Sequence, residues 1–140
     1  MIPFIDTNIF IRHVMADDPV QSPACLALFQ AIEREELTVW TSHLVVAEIV
    51  FVLSRVYRLE RVAIRDVILP ILTLPNIKID QKQMFVRVFD LYTALPIDYV
   101  DAYHAALLLN RDAASLYSFD ADFDRVPGLR RQEPSYPFAP

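Results

Sequence analysis

Short apolar runs alternate along this chain with longer segments whose apolar residues recur every three to four positions. Ile2–Ile5, Leu37–Trp40, Asn76–Ile79 and Ser115–Phe119 are too short for helices and read as buried strands, and a fifth strand is expected from Gly128–Arg131 at an edge. Between them, Thr7–Met15 has a helical period with Ile9, Phe10 and Val14 as anchors. Asp17-Asp18-Pro19 marks a stop and restart, with acids at the cap and proline at the first helical position. The helix that follows is expected to run to about Glu36 and to bury Cys25, Leu26, Phe29 and Ile32. Thr41-Ser42 offers hydroxyl caps for a helix reaching Tyr57. Glu60–Leu74 is a further helix, which Pro70 should kink or end. Gln81–Leu95 places Phe85, Val88, Phe89 and Tyr92 on one side, Pro96 breaks it, and Asp98 can cap a helix over Tyr99–Asn110.

Short apolar strands alternating with helices imply crossover connections and a mostly parallel sheet covered on both faces. The expected class is therefore α/β. Sheets of this kind bind ligands outside the carboxyl ends of their strands. The positions to inspect are then Asp6, Thr41-Ser42, Asp80 and Asp120. No repeat or linker divides the chain, so one domain is expected over 1–133, followed by an irregular proline-rich tail over 134–140.

Composition narrows the chemistry. With 54% hydrophobic and 22% charged residues, the 140-residue chain can bury enough surface to fold. A net charge of −5 argues against a generally basic nucleic-acid-binding surface. The single glycine, Gly128, excludes a P-loop and a dinucleotide-binding turn. The single cysteine, Cys25, excludes an intramolecular disulfide and a cysteine-based zinc site, and it reads as core. Met1–Ile5 lacks the basic start of a signal peptide, and the most apolar stretch, Leu44–Leu53, contains Glu48 and is too short to span a bilayer. A cytoplasmic protein is expected, with apolar surface in excess for a partner or a second copy.

The acids stand out by their settings. The neighbours of Glu48 at i±3 and i±4 are Leu44, Val45, Phe51 and Val52, and the rest of that helix is also apolar, so a buried carboxylate is expected there. Such a group is unionised, paired with a base, or bound to a cation. A helix-end glutamate or an ion pair would be the plainer use. Asp6 directly follows the first strand and can also serve as an N-cap. Asp101 follows Asp98 by one turn, where acids favour a helix start, while Ala102, Ala105 and Ala106 permit close backbone approach. Asp120, Asp122 and Asp124 alternate with other residues just after a strand, as in a tight turn or an acidic surface loop.

Two carboxylates ~4 Å apart repel by about 4 kcal/mol at an effective dielectric near 20, so four in one crevice would call for a cation. Oxygen ligands without cysteine or paired histidine favour Mg²⁺ or Mn²⁺ over Zn²⁺. His13, His43 and His104 have no zinc-binding spacing, although His104 lies one turn from Asp101, and no G-x-S-x-G elbow is present. Arg55, Arg58, Arg61 and Arg65 form the densest basic set, usable for phosphate or as a solvated face paired with Glu60 and Asp66.

Four segments in order, Phe4-Ile5-Asp6-Thr7-Asn8, Val46-Ala47-Glu48, Asp101-Ala102-Tyr103-His104-Ala105-Ala106 and Ser118-Phe119-Asp120-Ala121-Asp122-Phe123, resemble the PIN-domain nucleases, and among them the VapC-type toxins of bacterial toxin–antitoxin pairs. The resemblance spans residues 1–126. It implies a three-layer α/β/α sandwich whose central sheet has four to five mostly parallel strands. It also implies an Mg²⁺- or Mn²⁺-dependent endoribonuclease that forms homodimers and is inhibited by a small antitoxin protein. Carried onto this chain, the first acid is Asp6, the helix glutamate Glu48 and the third acid Asp101, with the fourth on Asp120 or Asp122. Thr7 and Ser118 correspond to hydroxyls near the carboxylates, and Asn8 to a polar residue orienting the first acid. A catalytically silent PIN-like module acting through a protein partner is the alternative. An aspartate-nucleophile phosphatase would need an acid at position 8, where Asn8 stands.

Overall fold

The computed structural model describes residues 1–111 and 114–140. The chain is α/β, with all its strand pairings parallel among the described residues. It divides into two compact units, Met1–Gln83 and Met84–Pro140.

In the first unit, α1 (Thr7–Met15) packs on α2 (Gln21–Glu33) and on α3 (His43–Arg55), and α3 packs on α4 (Arg61–Leu72). The strands β1 (Val39–Trp40) and β2 (Ile77–Lys78) pair in parallel, Val39 with Ile77 and Trp40 with Lys78. Ile2–Ile5, expected as a strand, contributes a single bridge from Phe4 to Trp40, closed by Ile5 N–H to Trp40 O (2.9 Å) and Trp40 N–H to Pro3 O (3.0 Å). Pro3 has no N–H to donate, which limits the ladder at that end. Ile5, Val39, Ile77, Phe10, Phe29, Ile49, Leu53 and Ile64 are buried and form the apolar interior of this unit.

Asp18 acts as the acid expected at the start of α2: its carboxylate accepts from Val20 N–H (2.9 Å) and Gln21 N–H (2.6 Å). Other local expectations change, beginning with Pro19, which precedes the helix, since α2 starts only at Gln21. The helix ends at Glu33 and buries Cys25, Phe29 and Ile32, while Leu26 is half-exposed. In α1, Ile11 is buried and Val14 only partly so. Ser42 caps α3 by accepting from Val45 N–H (3.2 Å), whereas the Thr41 hydroxyl donates to Ile5 O at 2.8 Å. Pro70 does not end α4 but lies inside its last turn, where Thr73 Oγ1 donates to Pro70 O at 2.8 Å.

The second unit contains α5 (Phe85–Ala94), preceded by a 3-10 turn over Lys82–Met84, and α6 (Tyr99–Leu109). These helices pack together through Val88, Phe89 and Tyr92 against Tyr99, Ala102 and Ala106, all buried. The alanines bring the two backbones close, and the Phe89–Tyr99 rings lie 5.5 Å apart. Asp98 stands at the start of α6 but makes no side-chain capping hydrogen bond. The strands β3 (Ser115–Tyr117) and β4 (Arg130–Gln132) pair in parallel, with a 3-10 helix over Ala121–Arg125 between them. Residues 134–140 form neither helix nor strand.

Candidate metal centre

Asp101 lies in the first turn of α6, half-buried beside the alanine-rich contact with α5. The turn after β3 supplies the other two acids. Ser118 N–H donates to Gln132 O (3.0 Å), which keeps the strand end in register, and Ser118 Oγ then accepts from Asp120 N–H at 3.0 Å. Asp120 in turn accepts from Asp122 N–H at 2.9 Å and caps the 3-10 helix. This chain of local hydrogen bonds brings one carboxylate oxygen from each of Asp101, Asp120 and Asp122 within 4.8 Å of one another.

Three like charges at that spacing are mutually unfavourable in the absence of a cation. The effect is visible at Asp101, whose pKa is pushed up first by burial, then by Asp120, Asp98 and Asp122, with His104 acting in the opposite direction. Arg125 Nε approaches Asp122 at 3.7 Å on an exposed surface and gives only partial compensation.

Arg131 holds the turn from behind. Its guanidinium donates to Ser118 O (2.9 Å), to both oxygens of Asp124 (2.9 and 3.1 Å) and to Glu133 (2.8 Å). Asp124, the third acid of the run, is therefore an anchor for Arg131, and its pKa is lowered by that hydrogen bond. Sequence reading missed Arg131; the only signal for it was its place in the edge strand that pairs with the acidic segment.

The remaining predicted acids lie in the first unit. Asp6 is exposed and caps α1, its carboxylate accepting from Thr7 N–H at 2.8 Å. Thr7 is buried, and its hydroxyl has no hydrogen-bond partner among the described residues. Asn8 is exposed. Glu48 is exposed too, contrary to the expectation of a buried carboxylate. Its stripe of α3 includes Leu44 and Phe51, 82% and 61% exposed, so this helix shows water an apolar face that a sequence pattern cannot distinguish from a buried one. The arginine set spans the end of α3, the turn at Arg58 and the start of α4, and Arg65 pairs with Asp66 at 3.0 Å.

The PIN domain family model matches residues 4–129. The chain belongs to the PIN domain family. PIN domains are generally metal-dependent nucleases, and the triad of hard oxygen donors in this PIN domain suits a divalent ion of the Mg²⁺ or Mn²⁺ kind. No curated protein matches the chain. None of the PIN domain's described helices is long and apolar enough to cross a membrane.

Proposed function

We propose that this PIN domain is an Mg²⁺- or Mn²⁺-dependent endoribonuclease that hydrolyses RNA phosphodiester bonds, and that it is the cytoplasmic, homodimeric toxin of a toxin–antitoxin pair. The observation that carries the nuclease reading is the meeting of Asp101, Asp120 and Asp122 oxygens within 4.8 Å. All three would serve as metal ligands, so the choice between Asp120 and Asp122 becomes a shared role. Asp6 and Glu48 would complete the acidic set, Asp6 as a ligand and Glu48 either as a ligand through water or by orienting the attacking water. A divalent ion held by these acids would supply Lewis-acid polarisation of a phosphoryl oxygen, a lowered pKa for water and neutralisation of charge on the leaving oxygen.

The chain's own groups would do the rest. The Ser118 hydroxyl and the Asp122 N–H hold the Asp120 turn in shape, and the Thr7 N–H donates to the Asp6 carboxylate at the start of α1. Thr7 and Asn8, beside Asp6, would supply further polar contacts. The nuclease domain would extend over 1–133, with 134–140 as a tail.

The test is incubation of the protein with mixed RNA, with and without Mg²⁺ or Mn²⁺, beside Asp6→Asn and Asp101→Asn variants. Cleavage that needs the ion and both acids supports the reading; cleavage that survives either substitution overturns the assignment. A second reading, a silent module that acts through a protein partner, is favoured by the exposed Leu44–Phe51 stripe on α3. It predicts no metal-dependent cleavage and no thermal stabilisation by the ion. The toxin role adds a partner, a small antitoxin encoded beside this chain, whose co-expression should abolish the cleavage.

A further inference from the structure

The first unit contains a hollow of about 660 Å³ at the carboxyl ends of β1 and β2, with Trp40, His43, Lys78, Asp80 and Lys82 on its walls. That volume lies within the ~300–1,000 Å³ of small-ligand sites. Its composition is unlike that of the rest of the chain. The protein has one tryptophan and two lysines, and all three line this hollow. In a chain with a net charge of −5, the hollow carries two lysines and a histidine against one acid, Asp80.

The ladder register arranges these groups. Phe4 bridges to Trp40, and Trp40 pairs with Lys78, so the three side chains stand in a row on one face of adjacent parallel strands. All three are exposed, Phe4 at 44% and Trp40 at 47%, and the Phe4 and Trp40 rings meet at 72° with centroids 4.7 Å apart. Phe4 thus steadies the indole from one side and leaves much of it open. Lys82 is committed to the loop: its ammonium donates to Leu74 O (2.7 Å) and Ile77 O (2.8 Å). Its charge stays at the rim while Lys78 remains exposed. His43 Nε2 donates to Asp80 O (2.5 Å) and so fixes the far wall.

An open indole beside a solvent-facing ammonium matches a single-stranded nucleotide, whose base stacks on an aromatic face while its phosphate meets a cation. We infer that Trp40 and Lys78 form a subsite for single-stranded RNA, Trp40 stacking a base and Lys78 contacting the adjoining phosphate. The inference deepens the nuclease reading and rests on it for the choice of RNA as occupant.

Trp40 is the sole tryptophan, so its emission reports this subsite alone. The probe is a ten-nucleotide single-stranded oligo(A) RNA, titrated in EDTA so that binding is read without cleavage. Saturable quenching of Trp40 emission is expected, weakening with added salt. With a dye-labelled copy of the same RNA, Trp40→Leu should raise Kd tenfold or more, in keeping with the loss of a base stack. Lys78→Glu, at an exposed position that leaves packing intact, should also raise Kd tenfold and flatten the salt dependence. Absence of quenching overturns the subsite, as does unchanged affinity in folded Lys78→Glu protein. So does a concentration-dependent dimer that Trp40→Leu abolishes while RNA affinity is retained, which would make the face a contact between copies. Quenching by RNA in a protein that never cleaves it would sustain the subsite and overturn the nuclease reading. Cleavage without quenching would do the reverse.

Discussion

Asp120 and Asp122 are joined by one short hydrogen bond: the Asp120 carboxylate accepts from the Asp122 N–H at 2.9 Å. That bond closes the turn so that both side chains reach toward Asp101, and it makes the local backbone part of the acidic cluster.

Asp101 should act as a pH-dependent liability. Its pKa is raised by burial and by Asp120, Asp98 and Asp122, so the folded state holds the proton more tightly than the unfolded chain does. Stability therefore falls as pH rises from the unfolded carboxylate value, ~3.9, through the raised folded value. In EDTA, Asp101→Asn should melt above the parent protein at pH 7, and the gap should close below about pH 4. Thermal melts across that range provide the check, and a gap of equal size at pH 3 would refute the cause.

The same repulsion makes a cation stabilising. Mg²⁺ or Mn²⁺ at 100 times its Kd should stabilise the protein by roughly 2.7 kcal/mol. The rise in Tm should be lost in Asp101→Asn and reduced in Asp120→Asn and Asp122→Asn. If the protein cleaves RNA as proposed, each of these substitutions should also cost more than the ~10–100-fold typical of outer-shell partners of a metal. Calorimetric scans with and without the ion, followed by a cleavage assay, test both parts.

Arg131→Ala should disturb the acidic turn without touching an acid of the cluster. The guanidinium ties Ser118 O, Asp124 and Glu133 together, and its loss frees the strand end from which Asp120 projects. A fall in affinity for Mn²⁺ larger than the accompanying change in helical content is expected, read by titration calorimetry and circular dichroism. Unchanged Mn²⁺ affinity would show that the turn holds itself.

Thr41→Val should cost about 1–3 kcal/mol, the usual penalty for leaving a buried polar group without its partner. Thr41 is 3% exposed, and its hydroxyl donates to Ile5 O, immediately before Asp6. Urea denaturation gives the number. A loss near zero would mean that water replaces the hydroxyl.

Ala16→Gly should stabilise the protein. The residue after α1 adopts φ 51°, ψ 36°, a left-handed conformation that costs a residue with a side chain about 1–2 kcal/mol. Glycine's greater freedom in the unfolded chain returns ~0.4–1 kcal/mol of that, leaving a net gain of a few tenths to about 1 kcal/mol. The same denaturation assay measures it.

Period and punctuation in the chain were enough to locate α1 to α6 among the described residues, because a 3.6-residue apolar period and a polar cap are local properties. Residue type and order were also enough to single out Asp6, Glu48, Asp101 and one of Asp120 and Asp122 as candidate acids, whereas the cluster among the described residues joins Asp101 with both Asp120 and Asp122. What a local pattern cannot carry is which face of an element meets another. The α3 sequence is apolar on every side, and only packing shows that the stripe bearing Leu44, Glu48 and Phe51 stays in water. Strand lengths were overestimated because a strand exists only where a neighbour completes its hydrogen bonds, and Pro3 leaves that ladder short. The approach of Asp122 as well as Asp120 to Asp101 came from a backbone turn, and the clamp on that turn from Arg131, remote in sequence. Trp40 and Lys78 are 38 positions apart, unremarkable in the chain, and become neighbours only through the parallel register of β1 and β2.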